Sequence, residues 1–174
     1  MRKWLSFLGA ITLLGTSTTS LVACNNTPQY NEEELQQLKQ ENQICTNCKE
    51  IKENLEWIAP QEKPFNTVDN KWYYVVWRGN ENEEWRIVKF KNDKFPKQKI
   101  HYKGKEKITI NYGNFSGFQR LKDLYFISRD SLTIKYWSED SGKYFKAVYR
   151  WNGGAEKLPY LVVDSCGDVK VNSE

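Results

Sequence analysis

The chain has 174 residues, 39% of them hydrophobic and 28% charged, and a formal net charge of +4. Those figures fit one domain with appendages, and they exclude both a disordered chain and a polytopic membrane protein. The charge is unevenly spread: residues 31–58 hold seven Glu against three Lys, and residues 89–107 hold eight Lys against one Asp and one Glu.

In chain order the first element is a leader. Met1-Arg2-Lys3 is a positive start, and Leu5 to Leu14, "LSFLGAITLL", is an apolar run of ten residues. A helix that spans a bilayer needs about 20 apolar residues, so this run is too short for one. "GTSTTS" leads on to Leu21, Val22, Ala23 and Cys24. That tetrapeptide, so placed, resembles a bacterial lipobox, in which the cysteine thiol is joined to diacylglycerol and the leader is removed. The expectation is a signal peptide over 1–23, a lipid on Cys24 and a tether over 24–30. The alternative is an uncleaved or ordinarily cleaved leader in which Cys24 is incidental. Two acyl chains give durable attachment, at about 0.8 kcal/mol per buried methylene, without a transmembrane helix.

The leader "MRKWLSFLGAITLLGTSTTSLVAC" resembles those of lipoproteins of wall-less bacteria, the mollicutes, and spiroplasma-type ones in particular. The segment "NLEWIAPQEKPFNTVDNKWYYVVWRGNENEEWRIVKF" is similar to uncharacterised proteins of that group. The resemblance implies a surface lipoprotein, lipid-anchored on the plasma membrane and facing outward. It brings no catalytic motif and no binding residues.

After the tether, "NEEELQQLKQENQICTNCKEIKENLEWI" reads as a helix over 31–59, a spacer or short coiled coil. Asn31 is the N-cap, Glu32, Glu33 and Glu34 occupy the first turn, and Pro60 ends the helix. Leu35, Leu38, Ile44, Cys48, Ile51, Leu55 and Ile58 supply a narrow apolar stripe. Cys45 and Cys48 then fall mid-helix. They lack the second ligand pair of a zinc site and the strand context of a redox motif, so Cys48 reads as part of the stripe, with a disulfide between the two, or from one of them to Cys166, as the alternative.

From about residue 64 the pattern turns to strands, and the domain over 64–174 reads as mainly β. "KWYYVVWR" and "EWRIVKF" flank the turn "GNENE" and predict a hairpin. "KITINY", "DLYFIS", "LTIKYW", "YFKAVYRW", "YLVVD" and "DVKVN" follow as strands, with "SEDSGK", "NGGAEK" and "SCGD" as turns. Residues 73–79 align with 124–130, and residues 85–92 with 145–152. The two stretches, about 72–96 and 123–159, suggest a duplicated antiparallel β-meander folded as a sandwich or open barrel.

Chemistry is sparse. The chain's one histidine, His101, lies in a lysine-rich loop or strand edge, and the acids lie in turns. No P-loop, dinucleotide fingerprint or calcium loop occurs, so no enzyme, metal or cofactor is expected. Two binding signals stand out. Lys94, Lys97, Lys99, Lys103 and Lys105, interleaved with aromatics, form either a polyanion patch or a solvated connector. Lysine without arginine argues against sequence-specific nucleic acid. Trp72, Tyr74, Trp77 and Trp151 form either an exposed ligand platform or, by default, core. The function expected is non-enzymatic binding or adhesion, to a host-surface glycan or protein. A structural envelope coat is the alternative.

Overall fold

The computed structural model describes residues 29–93, 97–103, 106–111, 123–128 and 133–172. Helix α1 (Glu32–Glu41) starts at a capping box: Asn31 Oδ1 accepts from Glu34 N, and Glu34 Oε2 accepts from Asn31 N, both at 2.9 Å. Such a cap contributes about 1 kcal/mol, and the three glutamates of the first turn match the positive helix end.

The helix does not run on to residue 59 as expected. It stops at Asn42, whose Nδ2 donates to Leu38 O, and a short α2 (Lys49–Asn54) begins only after Cys48. Thr46 Oγ1 accepts from Cys48 N at 3.1 Å, a local bond that competes with helix formation. Breaking there lets Ile44 and Ile51 enter the core at 6% and 7% exposure. Cys45 and Cys48 therefore lie in the break, and Cys48 is the N-cap of α2. Cys45, Cys48 and Cys166 are free thiols.

The predicted end of the helix is a strand. β1 (Leu55–Trp57) pairs with the edge of β8 (Phe145–Trp151), Leu55 opposite Trp151 and Trp57 opposite Tyr149. Pairing with a strand far away in sequence overrides the local helical period, because it satisfies main-chain groups at a sheet edge. The β domain thus begins before residue 64.

β2 (Trp72–Trp77) lies between β8 and β3 (Arg86–Lys91), giving an antiparallel sheet in the order β1-β8-β2-β3. The hairpin predicted around "GNENE" is present, with Trp77 opposite Arg86. A second antiparallel sheet runs in order through β4 (Lys97–Lys103), β5 (Glu106–Asn111), β6 (Asp123–Ser128) and β7 (Thr133–Tyr136). A hairpin of β9 (Leu161–Val163) and β10 (Val169–Val171) forms a two-stranded sheet of its own.

The first sheet is the middle layer. On one face Tyr73, Val75, Trp77, Phe90 and Val148 pack with Leu124 and Phe126 of β6, so the two sheets form an open sandwich, as predicted. Ring pairs cross it, such as Trp77–Phe126 at 5.8 Å between centroids. On the other face Tyr74, Val76, Ala147 and Tyr149 lie under Ile44, Ile51, Leu161 and Val169.

The two sequence-similar stretches are not equivalent in space. β2 and β3 are neighbours in one sheet, whereas β6 and β8, their aligned counterparts, belong to different sheets. The likeness follows from shared burial: Tyr73 to Trp77 are at most 2% exposed and Leu124 to Phe126 at most 3%. Strands covered on both faces require the same aromatic and β-branched residues.

The N-terminal segment is docked against the β domain. Tyr30 N donates to Gln61 Oε1 at 2.6 Å, and Gln61 Nε2 donates to Tyr30 O at 2.8 Å. Lys39 bridges Glu56 of β1 and Glu62, and Glu56 also accepts from Arg150 of β8. α1 is a docked element.

Candidate functional site

A cleft of about 670 Å3 opens on the middle sheet, on the face turned away from the second sheet. Its size falls within the range of small-molecule sites. One bank is the chain leaving α1, from Glu41 to Cys45. The floor is β8, through Lys146, Ala147 and Tyr149. The opposite bank is β10 with the turn before it.

The floor owes its composition to a β-bulge. Val76 pairs with Ala147 and Trp77 with Phe145, which leaves Lys146 as the extra residue of β8. In a regular strand Lys146 and Ala147 would point to opposite faces; the bulge lets both line the cleft.

The far bank is built by the turn Asp164–Asp168. Asp164 Oδ1 accepts from the main-chain N–H of Cys166 and of Asp168, each at 3.0 Å, and Gly167 N donates to Asp164 O. Gly167 sits at φ +85, and a Cβ there would lie 2.8 Å from Trp85 Cγ. Only glycine satisfies both conditions.

Both lysines on the cleft are paired with aspartates, while Glu41 on the near bank accepts from Gln37 Nε2. Lys146 Nζ bonds Asp168 Oδ1 at 2.7 Å and also donates to Cys166 O, while Lys170 Nζ meets Asp164 Oδ2 at 2.9 Å. The hydrogen bond from Lys170, followed by those from the turn, holds the Asp164 carboxyl below its ordinary value. Burial, with the Asp168 charge adding to it, pushes the Tyr149 hydroxyl up to about 12. That hydroxyl stays protonated at neutral pH and donates to Asn42 O at 3.2 Å, joining floor to bank.

The main chain along the banks is less complete. Asp164 N donates to Asp168 O and Asn172 N to Tyr160 O, with Lys170 opposite Val162. By the alternation of an antiparallel ladder, Val169 and Val171 turn their N–H and C=O groups away from β9. Among the described residues nothing bonds those groups, and both residues line the cleft. Across it the main-chain groups of Ile44 and Cys45 likewise have no partner among the described residues.

The aromatic platform does not exist as a surface. Trp77 is fully buried between the sheets, and alternation puts it on the face opposite Trp72 and Tyr74. Trp151 is 1% exposed, with its Nε1 donating to Gly154 O, and the Tyr74 hydroxyl is spent on Pro159 O. Only Trp72 is partly exposed. β2 is covered on both faces because it lies mid-sheet in the middle layer, which removes any stacking surface.

Of the lysine group, Lys97, Lys99 and Lys103 belong to β4, opposite Asn111, Thr109 and Glu106, so the stretch between 97 and 103 is a strand. Lys94 and Lys105 lie outside the described residues, as do Leu21, Val22, Ala23 and Cys24. Among the described residues no group of three or more His, Cys, Asp or Glu is arranged to hold a metal ion. The cleft was not foreseen from sequence. "SCGD" reads correctly as a turn, but nothing local joins residues 41–45 to residues 164–171.

Compared with protein-family models, curated proteins and solved structures, the chain has no match.

Proposed function

We propose that this chain is a lipoprotein of the mollicute type, anchored through Cys24 to the plasma membrane and facing outward, whose β domain binds a partner without catalysis. The leader supports the anchor: a positive start, a short apolar run and Leu21-Val22-Ala23-Cys24 stand in the order and spacing that lipid attachment requires. The observation that carries the binding reading is the cleft, whose banks hold main-chain groups without partners among the described residues. Burial of Trp77 and Trp151 takes away the surface on which a sugar would stack, so a protein partner is favoured over a glycan. The same burial favours the second reading, an envelope coat with no specific ligand.

Cys24→Ser tests the anchor. The native chain should incorporate labelled palmitate and enter the detergent phase, and the variant should do neither. Equal labelling of the two would refute the anchor. Binding that persists in moderate salt separates a specific partner from lysine electrostatics, and its absence would favour the coat.

A further inference from the structure

We propose that the cleft receives an extended peptide segment of a partner protein, added as a strand to the free edge of β10. This rests on the binding reading above and specifies its ligand. Val169 and Val171 present N–H and C=O groups on one bank, and Ile44 and Cys45 present theirs on the other. Ile44 is 6% and Val169 8% exposed, whereas Cys45 is exposed and Val171 half-buried, so each bank sets one withdrawn residue beside one open to a ligand. A native fold pairs nearly all buried main-chain groups, and a strand laid between two banks would bond outward on both sides.

The side-chain lining indicates the class of segment. Ile44, Ala147 and Tyr149 give the cleft an apolar floor and wall. The lysines are already matched by aspartates, Lys146 with Asp168 and Lys170 with Asp164. An acidic ligand would have to break those pairs, whereas a segment alternating small apolar with uncharged polar residues would not. Its apolar residues, every second one, would face the floor.

The test uses the full chain in mild detergent and short fluorescent peptides that alternate Val or Ile with Ser, Thr or Gln. Each peptide is accompanied by versions N-methylated at one residue at a time. Binding is followed by anisotropy. At least one parent peptide should bind, and methylation should weaken it about tenfold or more at the alternate residues whose N–H groups meet β10 and at the residue between them that meets Ile44 and Cys45, but not at residues beyond the banks, as loss of single main-chain bonds requires. Val171→Pro should weaken binding similarly, because that N–H faces the cleft and not the β9 ladder. The methylation pattern needs no altered protein, so it decides even where the proline variant misfolds. Three results overturn the proposal: no peptide binds; binding is indifferent to the position of methylation and survives Val171→Pro, which leaves a binding protein without a strand slot; or the full chain self-associates through β10 and Val171→Pro abolishes it, which makes a second copy the occupant.

Discussion

Glu56 ties α1 to the middle sheet, and its contribution should depend on pH in a defined direction. Its carboxylate accepts from Lys39 Nζ at 2.5 Å, Arg150 Nη2 at 2.6 Å and Asn152 Nδ2 at 3.1 Å. Burial is the largest single influence and pushes the carboxyl up, but those three hydrogen bonds and the Arg150 charge outweigh it and bring it from 4.5 to about 2. At about 1.36 kcal/mol per pH unit that gap corresponds to about 3.4 kcal/mol. The side chain is 26% exposed, and screening by solvent reduces the figure to about 1–2 kcal/mol. A carboxyl held lower in the folded than in the unfolded state stabilises above the unfolded value of 4.5 and loses that effect as pH falls through about 2. Glu56→Gln should therefore cost about 1–2 kcal/mol near pH 7, a fall of about 1 M in the urea midpoint followed by tryptophan fluorescence. By about pH 3 the difference should shrink by more than half. A difference of the same size at both pH values would refute the reasoning, because the variant would then be reporting lost shape and not lost charge.

Asp123 should behave in the opposite sense. Burial pushes its carboxyl up to about 6, against hydrogen bonds from Ser138 and Leu124, so its effect on stability is lost as pH rises from about 4 to 6; Asp123→Asn should remove that slope, and a carbon-detected titration should place the native group near 6. Gly167→Ala should destabilise by about 2–3 kcal/mol, because φ is +85 and Trp85 lies within 2.9 Å of the added carbon. Gly142→Ala, at φ +86 with open space around it, should cost only about 1 kcal/mol, and equal melting temperatures for the two variants would remove the packing part of the argument. Trp77→Ala should cost about 3–5 kcal/mol by opening a cavity between the sheets, while Tyr160→Ala, at 66% exposure, should stay within about 0.5 kcal/mol in chemical denaturation.

Much of the fold was legible because strands buried on both faces announce themselves. "WYYVVW" and "FKAVYRW" carry apolar side chains on both parities, and both lie in the middle layer. The spacing of Leu55 from Ile51 fits a 3.6 period and points to helix, yet the residue serves as strand opposite Trp151. A short apolar run beside a sheet edge follows the edge, which local pattern cannot reveal. The lysine-rich stretch from Lys97 to Lys103 hid a strand, because β4 has few residues of high strand propensity and is held by its pairing to β5. The cleft was illegible for a deeper reason. It depends on a single-residue bulge at Lys146 and on two banks more than a hundred residues apart.

The clasp between Tyr30 and Gln61 sets the length of the leash. With Cys24 acylated as proposed, six residue steps separate the lipid from the clasp, at most about 20 Å of fully stretched chain. That is less than the roughly 30 Å hydrocarbon thickness of a bilayer. The domain would then skim the lipid headgroups, sweeping a shallow cap of space, and a partner would have to approach the membrane to be captured.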